Sequence, residues 1–276
     1  QAKKFFLLEI GSIMLPQALQ AVLKQRPVGL VFDIDGTLSP IAPTPGEARL
    51  YPGIAQSLRR ASEHAEVAIV TGRAVASGAA MVNVEGLTYI GTHGLEWSTG
   101  LPSEHSIQLL PEAQPYIQPG NHLLDLAERE LGQLPGILIE RKVIGGAIHY
   151  RNAPDPEQAR QRVLAVLEEP ARQVNMRLSE GKMMTEVRVP IAANKGAALR
   201  NFVRQKQLRG VVFAGDDTTD LDAMLEIERL RAEGWAAYAI VVQHADTPPA
   251  LLEHADYSVQ GVENMAESLR AMVDLL

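Results

Sequence analysis

Two clusters of acidic residues in the sequence have the residue types and the spacing for chemistry. Each follows an apolar run with the composition of a buried strand. The first is Asp33-Ile34-Asp35, and the second is Asp216-Asp217-Thr218-Thr219-Asp220. Carboxylates at the ends of neighbouring strands would repel one another strongly unless a cation neutralised them. A hard ion such as Mg²⁺ suits an oxygen-only set of ligands.

Each cluster taken alone also has a simpler structural explanation. Asp-x-Asp-Gly is a common turn at the end of a strand, and aspartates are favoured in the first turn of a helix. Capping needs one or two aspartates, whereas the second cluster has three within five residues. A calcium loop of the EF-hand type is excluded, because Gly36 is the fourth residue from Asp33 and that loop has its glycine at the sixth position.

Two further positions can serve an anionic substrate. Thr71 and Gly72 follow the apolar run 67–70, where a simple strand-to-helix turn is the alternative interpretation. Lys195 follows Asn194, a good N-cap, and a lysine at the start of a helix opposes the helix dipole. A lysine in a cleft that balances phosphate and clustered aspartates explains this position better.

The pattern of elements predicts how these residues are positioned. Short β-rich runs alternate with segments of helical spacing, which is typical of a doubly wound parallel α/β sheet. The predicted strands are 28–32, 67–70, 87–90, 211–213 and 238–242, and the predicted helices are 54–64, 74–82, 196–205 and 221–232.

The middle of the chain breaks this alternation. There the sequence predicts a helix at 121–131, a hairpin at 137–150, a helix at 156–173 and a second hairpin at 176–189. We therefore expect an inserted α+β domain at 104–189 between core segments 14–103 and 190–276. Residues 1–13 are interpreted as a leader or a non-native remnant and are left out of the fold prediction.

The composition disfavours several classes of function. The 276 residues carry 26 basic and 33 acidic side chains, a net charge of −7, which disfavours binding to nucleic acid or to an anionic membrane. The absence of cysteine excludes a thiol nucleophile and thiolate metal sites. No apolar run approaches the roughly 20 residues that cross a bilayer. We expect a cytoplasmic monomer with no nucleic-acid or membrane partner.

Together the motifs resemble those of the haloacid dehalogenase superfamily of phosphohydrolases. They occur in the same order as in that superfamily, and each lies at a predicted strand end or helix start. The resemblance implies that Asp33 is the nucleophile and Asp35 the general acid/base, which favours the phosphatase branch because the dehalogenases lack the second aspartate. It also implies a C2-type cap for the inserted domain. The remaining implied roles are phosphate binding by Thr71, Gly72 and Lys195, Mg²⁺ binding by Asp33, Asp35 and Asp216, and support by Asp217 and Asp220.

Three strings over residues 28–266 more closely resemble the trehalose-6-phosphate phosphatases: Gly-Thr-His-Gly-Leu-Glu at 91–96, His-Tyr-Arg at 149–151 and Gly-Lys-Met-Met-Thr-Glu-Val-Arg-Val-Pro at 181–190. The resemblance implies Mg²⁺-dependent hydrolysis of trehalose 6-phosphate to trehalose and phosphate through an aspartyl-phosphate intermediate. It further implies substrate binding by His93, Gly94, Glu96, Lys182, Glu186 and Arg188. Even spacing predicts one face of the second hairpin for the last three, although such charges could also form a solvated face.

Other functions remain open at this point. A phosphatase for another sugar phosphate, such as sucrose phosphate or mannosyl-3-phosphoglycerate, would use the same core with a related cap. A catalytically silent regulator that binds sugar phosphates is a second alternative, against which the intact Asp33 and Asp35 argue. A phosphomutase uses the same aspartyl chemistry, and product analysis would exclude it.

Overall fold

The computed structural model describes residues 14–44, 46–102 and 107–276. These form two compact units: the core unit, up to Ile107 together with Asn194–Leu276, and the inserted unit, Gln108–Ala193. The second boundary lies four residues beyond the predicted one at 189. The predicted first boundary, between 103 and 104, and the predicted leader at 1–13 lie outside the described residues.

The strands and helices alternate along the core segments as the sequence predicts. The strands are β1 (Val28–Phe32), β2 (Glu66–Val70), β3 (Thr88–Gly91), β4 (Glu96–Thr99), β5 (Gln108–Leu109), β6 (Leu138–Arg141), β7 (Gly146–His149), β8 (Arg177–Gly181), β9 (Met184–Arg188), β10 (Gly210–Gly215), β11 (Ala236–Gln243) and β12 (Tyr257–Gln260). The helices are α1 (Gln17–Leu23), α2 (Ile54–Ser62), α3 (Val75–Val82), α4 (Ile117–Leu131), α5 (Pro156–Gln173), α6 (Lys195–Gln205), α7 (Leu221–Ala232), α8 (Pro249–His254) and α9 (Gly261–Val273).

The core sheet has the strand order β12-β11-β10-β1-β2-β3-β4 within the core unit. Its strands are parallel except β4, which runs antiparallel to β3. Phe32 of β1 pairs with Ala214 of β10. The two chain segments that carry the acidic clusters therefore leave the sheet side by side.

Both faces of this sheet are buried, as the predicted doubly wound arrangement requires. Leu30 and Phe32 belong to one hydrophobic cluster with side chains of α1, α2, α3 and α9. Val31, between them, belongs to a second cluster with side chains of α6, α7 and α8. Because β1 is packed on both faces, its end has a defined position in the sheet. Asp33 follows directly from that end.

The inserted unit contains the antiparallel sheet β6-β7-β9-β8. Gly146, Ile148 and Val187 on one face are buried, and a Cβ at Gly146 would lie 2.9 Å from Leu124 of α4. The predicted pair of hairpins and pair of helices are thus all present. Among the described residues no helix combines the length and the apolar composition needed to span a membrane.

Candidate active site

Four charged side chains meet at the carboxyl ends of β1 and β10, and all four are buried. The Nζ of Lys195 lies 2.8 Å from Oδ1 of Asp33 and 2.7 Å from Oδ1 of Asp220. One carboxylate oxygen from each of Asp33, Asp216 and Asp220 lies within 4.8 Å of the others. Parallel strand ends therefore bring the two acidic clusters together, as the sequence predicts.

The position of Lys195 at the start of α6 is explained by its partners. Asn194 caps the helix, because its side chain accepts a hydrogen bond from the Ala197 N–H at 2.8 Å. Burial lowers the pKa of Lys195, but attraction to Asp220 and Asp33 outweighs burial and leaves this pKa above its ordinary value. Lys195 is therefore a permanent cation between two carboxylates.

Asp220 holds the loop that carries Asp216. Its Oδ2 accepts hydrogen bonds from the backbone N–H groups of Asp216 and Asp217, both at 3.0 Å, while its Oδ1 accepts from Lys195. Asp217 in turn accepts from the Thr218 N–H at 2.6 Å and caps the short 3₁₀ turn Thr218–Asp220. These contacts fit the supporting roles predicted for Asp217 and Asp220, and they leave Asp33 and Asp216 as the better candidates for a cation.

Burial raises the pKa of Asp33 to about 7 against the attraction of Lys195, and the charges of Asp220 and Asp35 add to this rise. Burial also raises the pKa of Asp216 to about 9, again with the charges of Asp33 and Asp220 adding. A single lysine thus faces three buried carboxylates and does not balance their charge. The donor set, which is oxygen only and short of positive charge, fits a hard divalent cation such as Mg²⁺.

The turn after β1 brings Thr37 and Gly36 against Asp216. The Thr37 hydroxyl donates to Oδ1 of Asp216 at 3.1 Å. Gly36 has a φ of 84°, and a Cβ there would lie 1.9 Å from Oδ2 of Asp216. His244, which follows β11, places Nε2 2.7 Å from the Gly36 carbonyl oxygen and 3.9 Å from Oδ2 of Asp216. Sequence reasoning did not select His244, because a lone histidine after a strand carries no signal of its own.

Asp35 is held by Arg73, a residue to which the sequence analysis assigned no role. The Nε of Arg73 donates to Oδ2 of Asp35 at 2.7 Å, and Nη2 donates to Oδ1 at 2.6 Å. The Arg73 side chain is 11% exposed and that of Asp35 38%. In this geometry each Asp35 oxygen accepts one hydrogen bond from Arg73, and each keeps a second lone pair that can carry a proton.

The string 91–96 lies between the predicted phosphate-binding loop and the start of α6. The ring of His93 lies over Gly72, where a Cβ would be 2.8 Å from Cε1 of the imidazole. A Cβ at Gly94 would lie 3.1 Å from the Cβ of Ala198 on α6. His93 and Gly94 are therefore in the core unit near Thr71 and Lys195, where a role in substrate binding stays a prediction. Glu96 is buried, and its carboxylate is bonded to groups of the core.

The inserted unit carries the other predicted substrate residues. Glu186 and Arg188 lie on one face of β9, with 3.8 Å between Oε2 and Nε. Glu186 also forms a buried ion pair with Lys142 at 2.5 Å, a residue that sequence reasoning missed because it lies 44 positions away. His149 and Glu140 are in contact at 3.0 Å, and strand pairing puts both on the Glu186 face.

The prediction that Lys182 shares a face of the hairpin with Glu186 and Arg188 was wrong. Lys182 lies with Met183 in the tight turn between β8 and β9, outside the alternation of the strand. Period-two spacing applies only where the backbone is extended, and Met183 has a left-handed φ of 62°. Lys182 is therefore an exposed turn residue, and only Glu186 and Arg188 share the face that the spacing predicted.

Two proteins similar in sequence to this chain are described as trehalose-phosphate phosphatases. A trehalose-phosphate phosphatase from Mycobacterium leprae is 33% identical over 250 residues, which is 84% of this chain and 56% of that protein. The trehalose-phosphate phosphatase of Mycobacterium avium is 33% identical over 247 residues and matches 84% of this chain and 60% of its own length. The chain thus spans less than two thirds of these relatives.

Solved structures support the predicted fold. The crystal structure of a trehalose-6-phosphate phosphatase related protein has a TM-score of 0.72 at 25% identity, over 89% of this chain and 97% of that one. The C-terminal domain of the Candida albicans trehalose-6-phosphate phosphatase has a TM-score of 0.74 at 21% identity, over 94% and 96% of the two chains. The haloacid dehalogenase type of fold with an inserted domain is confirmed.

A family model described as trehalose-phosphatase matches residues 31–262. This match includes both acidic clusters, Thr71, Lys195 and the whole inserted unit, so it covers every residue of the site described above. The chain belongs to the trehalose-phosphatase family.

Proposed function

We propose that this chain is a Mg²⁺-dependent phosphatase that hydrolyses trehalose 6-phosphate to trehalose and inorganic phosphate. The observation that carries the proposal is the buried cluster of Asp33, Lys195, Asp216 and Asp220 in a member of the trehalose-phosphatase family. A phosphate-binding protein without chemistry would need the lysine but neither a buried carboxylate nucleophile nor a second carboxylate beside it.

In the first step an Asp33 oxygen attacks phosphorus, and the bond from phosphorus to the sugar oxygen breaks. An aspartyl-phosphate forms on Asp33, and Asp35 gives its proton to the departing sugar oxygen. Lys195 stays protonated and attracts the phosphoryl oxygens, and we assign Thr71 and the Gly72 N–H to the same task. Alcohols are poor leaving groups without a proton, which is why this reaction needs a second carboxyl group.

In the second step a water molecule attacks the phosphorus of the aspartyl-phosphate. Asp35, now ionised, takes a proton from the water, and the bond from phosphorus to the Asp33 oxygen breaks. Inorganic phosphate leaves, Asp33 is again a carboxylate and Asp35 is again protonated. Atoms and protons balance over the two steps.

Asp33, the Asp35 carbonyl and Asp216 would hold the metal ion. When bound, Mg²⁺ supplies positive charge that offsets the repulsion between the nucleophile and an anionic ester. The raised pKa values of Asp33 and Asp216 support this assignment, because a nearby dication would favour their ionised forms.

The inserted unit supplies the residues that we assign to the sugar. Glu186 and Lys142 form a buried ion pair on one face of its sheet, and the partly exposed side chain of Arg188 lies beside Glu186. Charged side chains held this way offer directed hydrogen bonds to hydroxyl groups, and losing one leaves its partners unpaired. We propose that this group distinguishes trehalose 6-phosphate from smaller phosphate esters.

The test is phosphate release by the purified chain over a panel of sugar phosphates, with Mg²⁺ present and again after chelation. Trehalose 6-phosphate should give the highest kcat/KM, and chelation should remove activity that Mg²⁺ restores. Product analysis must show free trehalose. A shifted phosphate on the same sugar would indicate a phosphomutase, and activity that resists chelation would reject the metal site.

A further inference from the structure

Glu96 is a buried carboxylate for which the proposed reaction has no use. It is the first residue of β4 and is 1% exposed. Its Oε1 accepts a hydrogen bond from the Thr92 hydroxyl, and its Oε2 accepts one from the Val75 N–H at 3.1 Å. With both oxygens engaged inside the core unit, this carboxylate has little surface to offer a sugar hydroxyl.

Val75 is the first residue of α3, the helix that follows Thr71, Gly72 and Arg73. The residue before it, Ala74, has no side-chain acceptor to cap the helix, and the first turn has no acidic residue. Glu96 therefore provides from β4 the negative charge and the acceptor that this helix start lacks. The bond fixes the point where the phosphate-binding loop enters its helix.

The turn on the other side of Glu96 is fastened to the same loop. The Thr92 N–H donates to the Arg73 carbonyl at 2.8 Å, and the His93 N–H donates to the Thr71 carbonyl at 3.0 Å. Gly91 allows this approach, since a Cβ there would lie 2.4 Å from the Val75 nitrogen. The loop and the turn are thus joined by backbone bonds, with Glu96 bonded to both.

The turn at Thr92 and His93 has a strained backbone. The Thr92–Glu96 hydrogen bond helps to hold that conformation. Thr92 and His93 have φ values of 48° and 57°, and the left-handed region is costly for a β-branched residue such as threonine. Such conformations persist where the surroundings impose them. The Glu96 carboxylate imposes this one by holding the Thr92 hydroxyl.

We infer that Glu96 is a positioning residue of the phosphate-binding loop, and that it is not the sugar ligand implied by the family resemblance. The inference rests on the proposed function, in which Thr71, Gly72 and Lys195 hold the phosphate. Removing the carboxylate frees the Val75 N–H and the Thr92 hydroxyl, which lets the loop shift relative to the nucleophile. The value of kcat/KM should then fall by the same factor for every phosphate ester.

The test compares Glu96→Ala and Glu96→Gln on trehalose 6-phosphate and on p-nitrophenyl phosphate, with inorganic phosphate as a competitive inhibitor. We expect Glu96→Ala to lower kcat/KM by about 10- to 100-fold and by the same factor on both substrates. The inhibition constant of phosphate should rise several-fold. Glu96→Gln should recover most of the activity, because its amide can accept from Val75 and donate to the Thr92 oxygen.

Glu226→Ala is the matched control, because Glu226 is a buried glutamate of α7 that pairs with Arg200 and Arg229. We expect it to lower thermal stability while the inhibition constant of phosphate stays within about twofold of wild type. If Glu96→Ala does not fold, Thr92→Ala removes one of the two bonds and should give a smaller, equally uniform loss.

Three results would overturn the inference. A loss confined to trehalose 6-phosphate would make Glu96 a sugar ligand, and an unchanged phosphate inhibition constant in folded Glu96→Ala would leave it a purely structural residue. An equal rise of that constant in Glu226→Ala would show that truncating any buried glutamate has this effect.

Failure of the proposed function would look different. A wild-type chain that hydrolyses p-nitrophenyl phosphate but not trehalose 6-phosphate would reject the substrate, while phosphate inhibition would still compare the Glu96 variants. If wild type hydrolyses neither ester, calorimetric titration with inorganic phosphate makes the same comparison, and equal affinity of wild type and Glu96→Ala would overturn the inference.

Discussion

Arg73 binds both carboxylate oxygens of Asp35, through Nε at 2.7 Å and Nη2 at 2.6 Å. The two residues are 38 positions apart and come from the loops after β2 and β1. A two-point contact of this kind fixes the orientation of the carboxylate as well as its position. The proposed proton donor is thus held by the phosphate-binding loop.

Replacing Arg73 should therefore affect the step that needs a proton. We expect Arg73→Lys to lower kcat/KM by about 100-fold for alkyl phosphates, because an ammonium group cannot present the planar fork. The loss should be smaller for p-nitrophenyl phosphate, whose leaving group departs without protonation. Steady-state kinetics on trehalose 6-phosphate, a small alkyl phosphate and p-nitrophenyl phosphate measure this difference.

Arg60→Ala serves as the control for Arg73, because Arg60 forms an exposed ion pair with Asp274 in the same unit. Its kinetics should match wild type. Equal losses for alkyl and aryl esters in Arg73→Lys would contradict the assignment and would place Arg73 on the phosphate.

Asp33→Asn should abolish phosphate release, since the amide keeps the shape of the side chain and loses the nucleophile. Rapid quenching of wild type with labelled substrate should yield protein-bound phosphate that is absent from the variant. Circular dichroism would verify that the variant is folded. Substantial turnover in folded Asp33→Asn would rule out the covalent mechanism.

The metal-free protein should lose stability as pH rises. The pKa of Asp33 rises from its ordinary 3.8 to about 7 and that of Asp216 to about 9 in the folded state. Between the ordinary and the raised values the folded state binds more protons than the unfolded state, so the free energy of unfolding falls as pH increases. This stability is complete below pH 3.8 and is lost by about pH 9.

Thermal unfolding with and without Mg²⁺ measures this dependence. The ion should raise the Tm more at about pH 8 than at about pH 5, because it competes with protons for the same carboxylates. Asp216→Asn should reduce both the pH dependence and the effect of Mg²⁺. An equal Mg²⁺ effect at both pH values would contradict binding at these aspartates.

Glu186→Ala should lower kcat/KM for trehalose 6-phosphate by about 10- to 100-fold, because it leaves Lys142 buried without its partner and removes an acceptor for the sugar. Hydrolysis of p-nitrophenyl phosphate should change little, because this ester has no sugar for Glu186 to bind. Glu180→Ala is the control, since the exposed Glu180 on the adjacent strand pairs with Arg160 instead. Equal losses on both esters would assign Glu186 to the fold of its unit.

Thr185→Val should stabilise the inserted unit. The Thr185 hydroxyl is fully buried and has no hydrogen-bond partner among the described residues. A methyl group of similar size removes the cost of burying that oxygen, so we expect a gain of about 1 kcal/mol in the free energy of unfolding. Urea denaturation monitored within the inserted unit measures it, and a loss of stability would reveal a partner for the hydroxyl.

The site was predictable where parallel strands impose it. Asp33 and Asp216 follow two strands that pair in register, so a buried-strand pattern and the two acidic strings suffice to bring them together. The Arg73–Asp35 and Lys142–Glu186 pairs were missed because nothing local marks one charge as the partner of another that is distant in sequence. Side-chain direction decides both pairs, and sequence spacing does not encode it.

The fold was predictable to a similar extent. Short apolar runs identified β1, β2, β3, β10 and β11, whereas β4 (Glu-Trp-Ser-Thr) and β12 (Tyr-Ser-Val-Gln) are too polar to form such a run. Lys182 was misplaced for a related reason, because even spacing was extended across a turn. Glu96 was predicted to bind substrate because it lies in a family motif, but a motif does not tell what the carboxylate touches.

Because Gly36 has no side chain, the backbone of the turn after β1 lies directly against the Asp216 carboxylate. A methyl carbon at this position would fall 1.9 Å from an Asp216 oxygen, and the φ of 84° disfavours any side chain there. The gap between the segments therefore accommodates a hydrogen atom but no side chain. Any substitution of Gly36 would push Asp216 away from the turn after β1 and lengthen the distance across the proposed metal site.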